Sequence, residues 1–188
     1  RVHTIWDKEF IMAVWNVIDH QELSGTAASW TKSSIPSSYD HLYLKFSTRT
    51  DSPSGERDEA EVTLNGDSGT NYSLTQLWAG ASTPGTQQAS GVDGVDKNYI
   101  NGNTSTADTF GAGNLWIPNY ANTANYKQIL IQAACEGATT TNYQWGLSLC
   151  AGLWANTAAV NQITLEPITG TNFVQYSTFT LYGINGAG

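Results

Sequence analysis

The sequence predicts an all-β chain folded as a single antiparallel, jelly-roll-like β-sandwich with long loops and an N-terminal arm. Three observations predict it: a composition low in charge, strict period-two alternation in one run after another, and turn-forming residues between those runs. Of 188 residues 40% are hydrophobic and only 13% charged, about half the charged share of an average soluble protein. The 18 glycines and many Ser, Thr and Asn residues suit short strands joined by turns. A chain of this length buries roughly 70% of the surface it exposes when unfolded, enough for one core without covalent staples.

The first 13 residues carry Val2, Ile5, Trp6, Phe10, Ile11 and Met12, which is more apolar than a free tail. They read either as an extra strand over their own sandwich or as an arm docking on a neighbour, with Ile5, Trp6, Phe10 and Ile11 as the candidate assembly residues. The body then runs from residue 14 to 188. Ile11, Val14, Trp15 and Ile18 fall at helical spacing. Yet Trp15 to Leu23 also reads as a β-rich run, and Gly25 to Thr31 as another.

Alternation is cleaner further on. Leu42, Leu44 and Phe46 oppose Tyr43, Lys45 and Ser47, and Ala60, Val62 and Leu64 oppose Glu59, Glu61 and Thr63. Ile129, Ile131 and Ala133 oppose Gln128, Leu130 and Gln132. Tyr143, Trp145, Leu147 and Leu149 are then expected inward, against Gln144, Gly146 and Ser148. Ile163 with Leu165, and Phe179 with Leu181, close the set. Turn signals separate these runs, among them Asp51 to Gly55, Asn65 to Gly69, Pro84-Gly85, Asp93-Gly94, Asn101-Gly102 and Thr169-Gly170. Residues 79 to 113 are the least patterned and read as a long excursion with weak strands around Lys97 to Ile100, the kind of loop that carries recognition.

Charge and motif content narrow the function. A net charge of -8 with only 8 Lys plus Arg leaves no basic stripe for phosphates, so nucleic acid is an unfavourable partner. No run of 18 apolar residues occurs, which argues against membrane insertion, and the opening residues lack the apolar core of a secretion signal. The three histidines His3, His20 and His41 adjoin no nucleophile-elbow pattern, and with two separated thiols they make no zinc spacing. Glu56, Asp58, Glu59 and Glu61, with Arg57 among them, form the one tempting carboxylate cluster; a turn and an outer strand face make it a solvated charge group. Asp93 with Asp96, or Asn65, Asp67 and Asn71, offer oxygens to calcium in no loop of matching spacing, so turn chemistry is the preferred reading. No cofactor is expected.

The thiols Cys135 and Cys150 belong to runs 126–135 and 143–153. If these form a hairpin around Glu136 to Asn142, the sulfurs stand on the order of 20 Å apart at about 3.3 Å per residue. A bridge needs Cα atoms within about 7 Å, so two buried free thiols are expected, in keeping with a reducing cytoplasm. Of the aromatics, Trp145 reads as core. Trp78, Trp116, Tyr120 and Tyr126 lie in or beside loops and are candidate surface residues, able to stack on sugars or anchor an interface.

At Ser34-Ile-Pro-Ser-Ser-Tyr-Asp-His-Leu-Tyr-Leu44, Arg49-Thr-Asp51 and Leu64-Asn-Gly-Asp-Ser-Gly-Thr-Asn-Tyr72 the chain resembles a family of tailed-bacteriophage virion structural proteins. Asn119-Tyr-Ala-Asn-Thr with Lys127, Trp154 to Ile163, Asn172-Phe and Ser177 to Ile184 are similar to that family's remaining segments in the same order, so the likeness covers roughly residues 15 to 184. It implies a β-sandwich on the virion, of head-decoration or tail-fibre type, with no catalytic residue, and it implies that Trp15 to Leu23 is a strand. The motif residues read as fold determinants: Asn65-Gly66 for a turn with positive φ, Asp67 and Ser68 bonding their own backbone, and Gly183 ending a strand where a side chain clashes. The expectation is therefore a non-enzymatic coat component, assembled in the host cytoplasm and located on the virion. Its partners are other phage structural proteins or copies of itself, with a trimer favoured among homo-oligomers. The alternative is a receptor-binding tip whose loops contact cell-surface glycans.

Overall fold

The computed structural model describes residues 14–53, 55–80, 83–137 and 146–185. The described residues are all-β and contain no helix. The strands are β1 (Val14–Glu22), β2 (Trp30–Lys32), β3 (His41–Thr48), β4 (Arg57–Leu64), β5 (Tyr72–Gly80) and β6 (Thr83–Val92). They continue with β7 (Val95–Asn101), β8 (Gly111–Pro118), β9 (Lys127–Cys135), β10 (Gly146–Trp154), β11 (Ile163–Pro167) and β12 (Thr178–Asn185). Eight form one antiparallel sheet in the order β1-β12-β3-β8-β9-β10-β5-β6, and four form a second in the order β2-β11-β4-β7. One core between the sheets makes this the expected jelly-roll-like sandwich.

The alternation read from sequence puts that core together. Leu42, Leu44 and Phe46 of β3, Ile129, Ile131 and Ala133 of β9, and Phe179 and Leu181 of β12 point down from the large sheet. Ala60, Val62 and Leu64 of β4 and Ile163 and Leu165 of β11 point up from the small one. Trp30 stacks on Phe179 at 5.3 Å, and Phe173 meets the same ring edge-on at 5.3 Å. Each fully buried side chain of this size contributes roughly 1.5–3 kcal/mol of transfer free energy.

Polar side chains fasten the loops. Asn65 (φ 55°) and Gly66 (φ 67°) make the tight turn after β4, closed by Asp67 N–H donating to Leu64 O at 3.0 Å. The Asp67 carboxylate accepts from Gly69 N–H and from the buried Trp154 indole at 2.7 Å. Arg49 donates to the carbonyls of Thr106 (2.7 Å), Asn103 (2.9 Å), Ser105 (3.0 Å) and Thr109 (3.2 Å), which fixes the segment between β7 and β8. Asp58 accepts from the Thr50 hydroxyl and from the backbone of Thr169 and Gly170.

Four sequence expectations need correction. The excursion over residues 79 to 113 is mostly strand: β6, β7 and the start of β8 lie in it, so the fold has less loop than expected. The run Gly25 to Thr31 yields only the start of β2 and one bridge from Ala27 to Phe173. Gly183 lies within β12 rather than at its end, although a Cβ there would indeed meet the Tyr39 ring at 2.3 Å. In β10 the faces are reversed, with Leu147 and Leu149 outward and Gly146, Ser148, Cys150 and Gly152 inward.

The β10 reversal has a steric cause. A Cβ on Gly152 would lie 2.7 Å from Val95, and one on Gly146 would lie 2.3 Å from Tyr99. Strand β7 therefore sits directly on β10, and only small inward residues leave room for it. Ile5, Trp6, Phe10 and Ile11 of the expected arm lie outside the described residues, as does Trp145.

Candidate functional site

The large sheet turns away from the core an outer face on which large apolar side chains stand among neutral polar ones such as Thr75, Asn114, Gln128 and Gln132, and no described element lies over it. Seven large apolar side chains stand on it: Trp15 and Val17 on β1, Trp116 on β8, Leu130 on β9, Leu147 and Leu149 on β10, and Leu77 on β5. Strand register makes them neighbours. Val17 pairs with Tyr182, Tyr182 with Tyr43, Tyr43 with Trp116 and Trp116 with Leu130; on the far side Leu149 pairs with Leu77. The Trp15 ring sits edge-on to Tyr43 at 5.0 Å and to Tyr182 at 5.6 Å.

This face is nearly free of charge. Along β12, β3, β8, β9, β10, β5 and β6 the only Lys, Arg, Asp or Glu residues are Lys45 and Lys127. Lys127 is buried inward, where it donates to the carbonyls of Asn125 (2.7 Å) and Thr157 (3.1 Å). That leaves Lys45, whose ammonium lies 5.8 Å from the centroid of the Tyr182 ring.

Leu147 is 59% exposed and rises between two hollows. One, of about 370 Å³, is floored by Phe46, Ala112, Gly113 and Ala134. The other, of about 470 Å³, is walled by Leu77, Trp78, Pro84 and Leu149. A projecting leucine flanked by apolar depressions is a shape that packs against another surface.

The small sheet has the opposite character. Apart from Asp19 and Glu22, every Asp or Glu in a described strand belongs to it: Asp58, Glu59 and Glu61 on β4, Asp96 on β7 and Glu166 on β11. The cluster is not the solvated group expected. Asp58 and Glu56 are buried, and Glu61 is half-buried with its stem against Gly94. Burial, followed by the like charges of Asp93, Glu166 and Asp96, pushes the Glu61 carboxyl up to about 7. Lys97, at a bulge opposite Glu61, bridges Asp96 at 2.6 Å and Glu59 at 2.9 Å. The oxygens considered for calcium are engaged locally: Asn65 Oδ1 accepts from Asn161 and Gln162, and Asp67 accepts from Asn71. Among the described residues no group of three or more His, Cys, Asp or Glu is placed to hold a metal.

The four candidate surface aromatics separate. Tyr126 is 56% and Trp116 37% exposed. Trp78 is half-buried, its indole flat against Gly85. Tyr120 is a correction: it is fully buried, its hydroxyl donating to Pro36 O, because the turn after β8 folds it under the chain. His41 is half-buried, with Nδ1 accepting from Asn119 N–H at 3.2 Å.

Trp15, Val17, Leu77, Leu147 and Leu149 escaped the sequence reading as surface residues. A signal for the face was present: Tyr43, Leu130 and Tyr182 fall on the outward phase of their strands, and three large outward side chains on one sheet exceed what solvation needs. No family model, curated protein or solved structure matches the chain.

Proposed function

We propose that this chain is a structural protein of a tailed-phage virion, a capsid-decoration or tail component that works by adhesion between protein surfaces. The observation that carries the reading is the outer face of the large sheet, apolar and nearly without charge on a chain of net charge -8. Solubility alone favours charge on an exposed sheet face, so a face with Lys45 as its one outward charge over seven adjacent strands has what a contact surface needs. The phage assignment is supported by the ordered resemblance of the segments from Ser34 to Ile184. Bound copies stabilise a particle by mass action, with no chemical step.

The test is quantitative mass spectrometry of particles purified from a host in which a phage encoding this chain is propagated. We expect the chain at many copies per particle. Its absence from particles, together with saturable binding of the isolated protein on a glycan array, would replace this reading with the receptor-binding one.

A further inference from the structure

We propose that the outer face of the eight-stranded sheet pairs with the same face of a second copy of this chain, giving a two-fold sheet-on-sheet dimer. The inference rests on the reading of that face as an adhesive surface and names its occupant.

Size is the first argument. Seven interstrand gaps of about 4.8 Å and strands of eight to ten residues at about 3.3 Å give a face of roughly 950 Å², spanning the order β1 to β6. A stable interface needs about 800 Å² from each partner. One face of this molecule is therefore large enough for a dimer without help from loops.

Charge is the second argument. The chain carries 16 acidic against 8 basic residues, so two copies repel wherever their acidic surfaces meet. Among the described residues the large-sheet face is the broad surface where this repulsion is least, since beyond Glu22 at the β1 edge its only charge is Lys45. A basic partner has only Glu22 at the β1 edge to grip there, and a surface with little charge and exposed apolar side chains is what such a face complements. The molecule already possesses one.

Shape and edges are the third. Leu147 stands between its two hollows, so under a two-fold operation each copy offers both a projection and a depression. Pairing through the sheet edges is opposed. Outermost β6 has Pro84, which lacks an N–H, and a bulge at Gly91 (φ 66°); β1 has a bulge between Val17 and Asp19. Face contact is the route the sheet leaves open, at the usual sheet spacing of about 10 Å.

The test is sedimentation velocity of the full chain from about 1 to 100 μM, a range that brackets micromolar affinity. We expect a dimer, and we expect Leu147→Lys with Leu149→Lys to weaken it at least 100-fold while circular dichroism and thermal midpoint stay close to wild type. Should that pair fail to fold, Leu77→Lys with Leu130→Lys reads the same face. Changing Trp6→Lys with Phe10→Lys leaves the dimer intact if the sheet face is the partner. A monomer at the highest concentration, a trimer, a dimer indifferent to both face variants, or one abolished by the Trp6 and Phe10 changes overturns the proposal. Particle incorporation separates the two levels: a monomeric chain still found in particles removes the pairing and keeps the structural role. A dimer absent from particles keeps the pairing and removes the role.

Discussion

Glu61 shows how one side chain in this fold acquires a pH dependence. Its carboxyl is ordinary in the unfolded chain, near 4.5, and reaches about 7 in the folded one, chiefly through burial and then through Asp93, Glu166 and Asp96. Between those values the folded state holds the extra proton, so this group's contribution to stability falls as pH rises from about 4.5 to about 7 and stays low above that. We therefore expect Glu61→Gln to stabilise the protein by on the order of 1 kcal/mol at pH 8, a figure already reduced for solvent screening at a half-buried site. At pH 4 it should be close to neutral. Urea midpoints at the two pH values check this, and an equal effect at both would assign the gain to packing instead. The thiols follow the same burial logic. Burial pushes Cys135 up to about 11 and Cys150 up to about 12, and both are free and buried. Cys135 lies opposite Gly146 and Cys150 opposite Ile131, an offset of about 13 Å along the ladder at about 3.3 Å per residue. That is shorter than the separation expected from sequence and still beyond bridging distance. Ellman's reagent should find no reactive thiol in the native chain and two after unfolding; a rapidly titrating native thiol would mean that β9 or β10 opens locally.

At the scale of the element, β10 decides how the sandwich closes. Its inward Gly152 and Gly146 admit Val95 and Tyr99 of β7 at distances no Cβ permits. Gly152→Val should cost about 1–3 kcal/mol, the range for overpacking a dense interior, read as a lower thermal midpoint. Ala151→Val, one residue away on the outer face, should cost little. Equal losses would show that strand position rather than interior crowding controls the effect. The same strand explains what a sequence can convey. Its period was legible, but period two only divides a strand into two faces and does not say which is covered. Large residues are usually inside, so Leu147 and Leu149 read as core; the space above β10 belongs to β7, a strand with barely a pattern of its own. Strands β3, β4, β9, β11 and β12 were legible because their apolar and polar phases differ in the ordinary sense. Strand β6, Thr83–Val92, was not, because it is an edge strand mostly of Gln, Ser, Thr, Gly and Pro, with only Ala89 and Val92 apolar, whose partner β5 supplies the pairing. Tyr120 was misread for a related reason: its neighbours Asn119 and Asn122 mark a turn, and a turn can fold a side chain inward to Pro36 as readily as outward.

Across the whole molecule, charge is partitioned between the two sheets. The strand carboxylates gather on the four-stranded sheet, with Asp19 and Glu22 at the β1 edge, while the eight-stranded sheet shows solvent an aromatic and leucine surface with Lys45 as its lone charge beyond that edge. Two kinds of association are then distinguishable by salt. Contact through the acidic sheet requires a basic partner and weakens as counterions screen it, with a Debye length falling from about 10 Å at 0.1 M to about 3 Å at 1 M. Contact through the apolar face has no such dependence and strengthens with salts excluded from protein surfaces. For self-association we expect a dissociation constant that changes less than about threefold between 50 and 500 mM sodium chloride, a shift worth under about 0.7 kcal/mol. Ammonium sulfate at sub-precipitating concentration should tighten it. Isothermal dilution calorimetry adds a second signature, because burying two apolar faces gives a negative heat-capacity change on association. A dissociation constant that climbs steeply with sodium chloride and shows no heat-capacity change would move the contact to charged surfaces, and the uncharged sheet would then need a different occupant.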